Sequence, residues 1–199
     1  MAGKIWMYDS YDLRKFSPNE IKCFIDIGAN CGRYSIMIAN QLKENSKVIS
    51  IEPEKKNFNS ILDNIKVNNL ENVVPLKLAC SDNNIHELKL YLSSENAGHN
   101  IQNHQNSNTF ETVECKTIDT IVNDLKLDRV DLIKIDVEGL EKEVIMGSLE
   151  IIKRFHPNII CEIFNLKEIE DIVLPLGYKI EQINSNNYFL RWKNDNISM

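Results

Sequence analysis

The stretch Cys23-Phe24-Ile25-Asp26-Ile27-Gly28-Ala29-Asn30-Cys31-Gly32 constrains the fold of this chain more than any other. A short apolar run of this kind makes a strand buried on both faces. Asp26 interrupts the run near its end, and Gly28 and Gly32 follow, four residues apart. An amphipathic segment then begins at Arg33, with Tyr34, Ile36, Met37, Ile38 and Ala39 as its apolar residues. Strand, glycine turn and helix in that order bring backbone close to a ligand beside a helix N-terminus.

The same alternation continues downstream. Lys47 to Ile51 reads as a second strand ending in Glu52-Pro53, and Phe58, Ile61, Leu62, Ile65 and Val67 follow on a helical period until Asn68-Asn69. Val73 to Cys80 reads as a third strand, closed by Ser81-Asp82. The alternation then pauses. His86 to Leu92 and Thr112 to Lys116 alternate polar and apolar residues, so they predict a hairpin inserted at about residues 86–117. Its connection, residues 95–108, carries five Asn, two Gln and two His, and is either a solvated link or a substrate lid. Afterwards come a short helix (118–125), a buried strand from Val130 to Ile135, and a helix from Glu141 to Phe155 stopped by Pro157. A strand from Asn158, a helix from Leu166 to Leu174 and two strands joined through Asn184–Asn187 complete an α/β pattern of seven main-sheet strands. At 199 residues the chain reads as one domain, 1–199, that needs neither disulfide nor metal to fold. Residues 1–20 are expected to cover the sheet edge or the ligand site.

A net charge of −6 without a local basic cluster argues against a nucleic-acid surface. No apolar run approaches the roughly 20 residues of a membrane span, and the N-terminus lacks a signal-peptide stretch. The five cysteines are odd in number and lack CxxC spacing, which suits reduced core residues in a cytoplasmic protein better than zinc.

An acid stands at or near the end of every long strand: Asp26, Glu52, Asp82, Asp136 with Glu138, and Glu162. Open parallel sheets bind ligands at those strand ends. Glu52, 24 residues after Gly28, is placed to accept both hydroxyl hydrogens of an adenosine ribose. A dinucleotide fingerprint starting at Gly28 requires glycines where the chain has Asn30 and Arg33, and no P-loop lysine follows. A ribose acid without a diphosphate pocket leaves a nucleoside-sized ligand, and S-adenosylmethionine (S-adenosyl-L-methionine) is the obvious one.

Asp26-Ile-Gly-Ala-Asn-Cys-Gly32, Ile51-Glu-Pro-Glu54 with Asn57-Phe58, Ala79-Cys-Ser-Asp82 and Leu132-Ile-Lys-Ile-Asp-Val-Glu-Gly-Leu-Glu141 together resemble the FkbM-type S-adenosylmethionine-dependent methyltransferases. The resemblance runs from about Cys23 to Glu162. It implies the Rossmann-like class I methyltransferase fold, a mixed seven-stranded sheet with an antiparallel last strand and helices on both faces. It also implies O-methylation of a sugar, glycan or small natural-product hydroxyl.

On this reading Gly28, Ala29, Asn30 and Gly32 form the turn under the methionine part of the cofactor. Asp26 either fixes that turn or meets the cofactor amino group. Glu52 and Pro53 take the ribose side, and Ser81 and Asp82 the adenine side, unless they only cap their loop. Asp136 and Glu138 stand where the methyl is presented. They either receive or orient the acceptor hydroxyl, or hold the cofactor and cap the next helix. His99, with His104, is the other candidate base. A metal on Asp136 would be an alternative way to polarise the hydroxyl, but no motif demands one. The rival functions are the same fold acting on nitrogen or on a protein, and an adenosine-ligand binding module without turnover. An NAD-dependent oxidoreductase is disfavoured by Asn30 and Arg33.

Overall fold

The apolar run at the start forms β1 (Cys23–Ile27), all five of whose residues are buried. The structure is a computed structural model and describes residues 20–42, 45–91 and 110–193. The expected covering segment (1–20, apart from Glu20) and the polar loop 95–108, with His99 and His104, lie outside the described residues. After β1 come α1 (Arg33–Ala39), β2 (Lys47–Ile51), α2 (Lys55–Val67), β3 (Val73–Leu76), β4 (Ala79–Cys80), β5 (Glu87–Tyr91), β6 (Phe110–Lys116) and α3 (Ile118–Asp124). The chain continues through β7 (Leu132–Ile135), α4 (Glu141–Met146), α5 (Leu149–Phe155), β8 (Asn158–Glu162), α6 (Leu166–Val173), β9 (Tyr178–Asn184) and β10 (Asn187–Trp192).

Seven strands form one sheet in the order β3-β2-β1-β7-β8-β10-β9. The first five pair in parallel, whereas β10 runs antiparallel to both β8 and β9. That is the expected mixed sheet with an antiparallel last strand. Strands this apolar need cover on both faces. On one face Ile25, Ile49, Ile133 and Ile159 pack with residues of α3, α4, α5 and α6. On the other, Phe24, Val48, Leu132 and Ile160 pack with Tyr34 and Ile38 of α1.

Two expectations need correction. The third strand is not continuous to Cys80: β3 ends at Leu76, and β4 leaves the main sheet to pair with β6, alongside the expected β5–β6 hairpin. Ala79 and Cys80 are apolar enough for either sheet, and the face offered by Leu88, Leu90, Val113 and Cys115 takes them. The helix expected over Glu141–Phe155 is broken at Gly147-Ser148. A Cβ on Gly147 would lie 2.2 Å from the Ser81 carbonyl oxygen, so the backbone approaches there more closely than any side chain allows.

Candidate active site

The glycine turn is tied to the neighbouring strands as well as to itself. The N–H groups of Gly28 and Ala29 both donate to the Ile51 carbonyl, at 3.0 and 2.9 Å. Gly28 has φ +71°, and a Cβ there would stand 1.8 Å from the Asp136 carbonyl oxygen. Only glycine fits. Asn30 also takes a left-handed conformation (φ 53°), which asparagine tolerates better than most residues. Its N–H donates to Glu52 Oε2 at 2.8 Å, and its own Oδ1 accepts from the Cys31 N–H at 2.7 Å. From α2, Asn64 Nδ2 donates to the Cys31 carbonyl at 2.9 Å, so the turn is held from the opposite side as well.

Beneath the turn lies a buried ionic layer. Asp26 is fully buried and accepts from Ser35 Oγ of α1 at 2.6 Å. Ser35 Oγ also lies 2.7 Å from Ser50 Oγ of β2. Lys134, 1% exposed, places Nζ 3.2 Å from Asp26 Oδ1, 3.5 Å from Asp136 Oδ2 and 3.3 Å from the Gly28 carbonyl. Burial alone would push the Lys134 pKa down, but Asp26 and Asp136 together outweigh it and the net shift is upward. The Asp26 carboxylate thus reaches α1 and Lys134.

Above this layer the carboxylates collect. Glu52 is 6% exposed, and its Oε1 accepts from the Glu54 N–H at 2.9 Å. Burial pushes its pKa up to about 7, although the backbone N–H groups of Glu54 and Asn30 pull the other way. Across Gly28 stands a second group. The Glu162 carboxyl is raised to about 7, by burial first and then by its hydrogen bond to Asp136, with Glu138 and Glu141 adding to the effect. Glu138, at φ 54°, is raised by burial and then by Asp136. Glu141 is raised chiefly by burial, against the pull of the Gly139 N–H that donates to its Oε1 at 2.8 Å. Among the described residues no three or more His, Cys, Asp or Glu side chains converge as a metal site.

Between Glu52 on one side and Asp136 with Glu138 on the other lies a small cleft of about 100 Å³. Gly28, Asn30, Glu52, Pro53, Asp136 and Glu138 line it, and Leu78, Ala79, Leu88 and Leu90 give it an apolar wall. Ala29, Gly32, Asp26 and Ser81 support it without lining it. Asp82, expected on the adenine side, does not line this cleft. It accepts from the Asn84 N–H and Nδ2 at 3.0 and 2.9 Å and lines a separate groove with His86 and Lys116. β4, whose Ala79 and Cys80 line the cleft, pairs with β6 of the small sheet, and Asp82 follows it.

Residues 26–188 match the family model described as Methyltransferase FkbM domain. The chain belongs to the FkbM methyltransferase family. A crystal structure of methyltransferase FkbM from Methylobacillus flagellatus KT aligns over 88% of this chain and 44% of that one, at 16% identity and a TM-score of 0.62. The chain thus spans less than half the length of that FkbM structure. Precorrin-6y C5,15-methyltransferase from Geobacter metallireducens GS-15 aligns over 93% of this chain and 84% of its own, at 16% identity and a TM-score of 0.53. The Methanococcus jannaschii fibrillarin pre-rRNA processing protein aligns over 90% and 70%, at 13% identity and a TM-score of 0.53. At these identities the likeness is one of fold, the class I methyltransferase fold. A search of the curated proteins found no match.

In this FkbM domain two site residues escaped the sequence reading of roles. Lys134 was visible as a charge inside the apolar run Leu132–Ile135. Glu162 was visible only as one more strand-end acid, because its partner is set by register: Ile135 pairs with Cys161, which brings Asp136 beside Glu162.

Proposed function

We propose that the chain is an S-adenosylmethionine-dependent methyltransferase that methylates a hydroxyl of a small-molecule or glycan acceptor in the cytoplasm, and that it does not act on nucleic acid. The observation that carries the reading is Glu52, a buried carboxylate beside the Gly28 turn. Two backbone N–H groups already bind it, one on each oxygen, and a carboxylate has about four lone-pair sites. The remaining pairs suit a ribose diol. The absence of dinucleotide glycines at Asn30 and Arg33, and the apolar wall of Leu78, Ala79, Leu88 and Leu90, fit the same ligand. The net charge of −6 supports an acceptor other than nucleic acid.

When bound, the cofactor supplies an electrophilic methyl group on a sulfonium. The task of the chain is alignment and proton control. Gly28 keeps the floor of the cleft free of a side chain, Glu52 holds the ribose, and Leu78, Ala79, Leu88 and Leu90 exclude water from the adenine side. Lys134 fixes Asp136 from below. Asp136 and Glu138 then orient the acceptor hydroxyl, which is a poor nucleophile until a base accepts its proton.

Calorimetry with S-adenosylmethionine, followed by transfer of a labelled methyl group to a panel of sugars and small alcohols, tests the reading. Hydrogen bonds to a charged group contribute about 1.5–3 kcal/mol each, so Glu52→Ala is expected to weaken binding by tenfold to a few hundredfold. Unchanged affinity would remove the cofactor assignment. Binding with no transfer to any acceptor would mark a ligand-binding module, and transfer only to amines or to a protein would move the acceptor atom.

A further inference from the structure

Beside the cleft, and sharing Glu138 with it, runs a groove of about 530 Å³ between the β7–α4 and β8–α6 junctions. That volume lies within the ordinary range for small-ligand sites. Its walls are negative: Glu138, Glu141, Glu143 and Glu168 all line it. Lys142, a cation of the same wall, pairs with Glu168 Oε2 at 3.1 Å, and Glu168 Oε1 accepts from Asn165 Nδ2 at 2.7 Å. Glu168 is thereby matched within the protein. The other three are not: among the described residues no cationic side chain forms an ion pair with Glu138, Glu141 or Glu143. Glu141 is the telling member, because it is only 6% exposed and buried charges are ordinarily paired. The Gly139 N–H donates to its Oε1 at 2.8 Å, which fixes the carboxylate without neutralising it. Phe164 lines the same groove and is 58% exposed. A phenyl face attracts a cation and gives a carbon skeleton a surface to pack on.

We propose that this groove holds the methyl acceptor, and that the acceptor carries an ammonium group as well as a hydroxyl, as amino sugars and amino alcohols do; this rests on the methyltransferase reading above. The ammonium supplies the positive charge that Glu141 and Glu143 lack, and Phe164 packs against the carbon skeleton. Glu138, which borders groove and cleft alike, leads the hydroxyl toward Asp136. A protonated amine has no lone pair with which to attack, so holding nitrogen as ammonium leaves oxygen as the nucleophile. An acceptor bearing phosphate or carboxylate meets like charge along the same wall.

The test compares probes matched in shape and different in charge: glucosamine, glucose and glucuronate, then 3-aminopropane-1,2-diol, glycerol and glycerate. Its binding arm needs no cofactor and follows backbone amide resonances of the full chain. The amino member of each set is expected to shift Glu143, Phe164 and Asn165, and to bind about tenfold or more tighter than its neutral counterpart. The anionic members are expected to leave those resonances unmoved. Glu143→Gln and Phe164→Ala are each expected to weaken amino-probe binding by about three- to tenfold. Glu141→Gln keeps an oxygen for the Gly139 N–H and is expected to weaken it by about tenfold or more. In the transfer arm the amino members are expected to be methylated on oxygen. There Glu143→Gln is expected to raise their KM while cofactor binding stays within about threefold. Neutral or anionic members bound or methylated as well as the amino ones, or no shift at Glu143 and Phe164 with any probe, overturn the proposal and leave the methyltransferase reading standing. Failure of the parent protein to bind S-adenosylmethionine sinks that reading and the acceptor role with it; the binding arm then still decides whether the groove selects ammonium.

Discussion

Replacing Lys134 with methionine keeps much of the side-chain volume and removes the cation that faces Asp26 and Asp136. At 3.2 and 3.5 Å, each attraction is worth about 5 kcal/mol at an effective dielectric near 20, and lost hydration of the charges offsets much of it. What the substitution leaves is a carboxylate with no exposure, Asp26, that keeps the hydrogen bond from Ser35. Breaking a buried pair from one side costs roughly 3–5 kcal/mol, a large share of the roughly 5–15 kcal/mol that holds a domain together. For a chain of this size that corresponds to a fall in Tm of about 6–20 °C. The upward shift of Lys134 means its contribution is fully present below its ordinary value of 10.5 and is lost only as pH rises through the higher folded value. A parent protein scanned around neutrality therefore does not reveal it, and substitution is required. Asp26→Asn combined with Lys134→Met neutralises both sides and is expected to recover more than half of the loss. Urea unfolding at pH 7 and pH 5 measures all three proteins. A single variant within about 1 kcal/mol of the parent, or a double variant no better than the single, refutes the account of the ionic layer.

Three further outcomes follow from individual positions. Glu52 sits at about 7 when no ligand is bound, and ribose hydroxyls donate to its ionised form. Cofactor affinity should therefore rise between pH 5.5 and 8, by up to about tenfold per unit below the folded value; calorimetry giving a flat profile would detach the ribose from Glu52. Gly28→Ala combines a left-handed backbone with a Cβ 1.8 Å from the Asp136 carbonyl oxygen and is expected to lose roughly 2–5 kcal/mol, with a loss under 1 kcal/mol in denaturant melts counting against the close approach. Gly147 has an ordinary φ of −76°, so Gly147→Ala suffers only the overlap with the Ser81 carbonyl, roughly 1–3 kcal/mol; a variant as stable as the parent would show that the helix break has another cause.

Much of the main sheet was legible because its strands are apolar runs bounded by turns, and such runs signal themselves without reference to partners. The Gly28 turn and Glu52 were legible for a related reason: both follow directly from where a strand stops. What stayed hidden depends on distant contacts. Nothing local distinguishes Ala79-Cys80 as the start of a second sheet, because the face that takes them is built from β5 and β6. Gly147 reads as an ordinary glycine in a helical run, and the carbonyl that breaks the helix belongs to Ser81. Asp82 was assigned by its place after a strand that does not continue in the main sheet. Glu138 was paired with Asp136 by nearness in sequence, whereas the β7–β8 register also sets Glu162 of the next strand beside Asp136.

Strand parity accounts for why the polar groups gather where they do. Phe24, Val48 and Leu132 share a register and pack on the α1 face. Two residues further along each strand, on the same face, stand Asp26, Ser50 and Lys134, also in mutual register. Two further again come Gly28, Glu52 and Asp136, with Glu162 and Asn187 continuing the line across β8 and β10. Because side chains in a strand repeat every second residue, the sheet presents an apolar layer, then an ionic layer, then the floor and walls of the cleft. The lone glycine falls between Glu52 on β2's side and Asp136 on β7's side. Lys134 in the middle layer touches the turn and Asp136 at once, so the floor of the cleft and the Asp136 carboxylate at its wall are held by the same side chain.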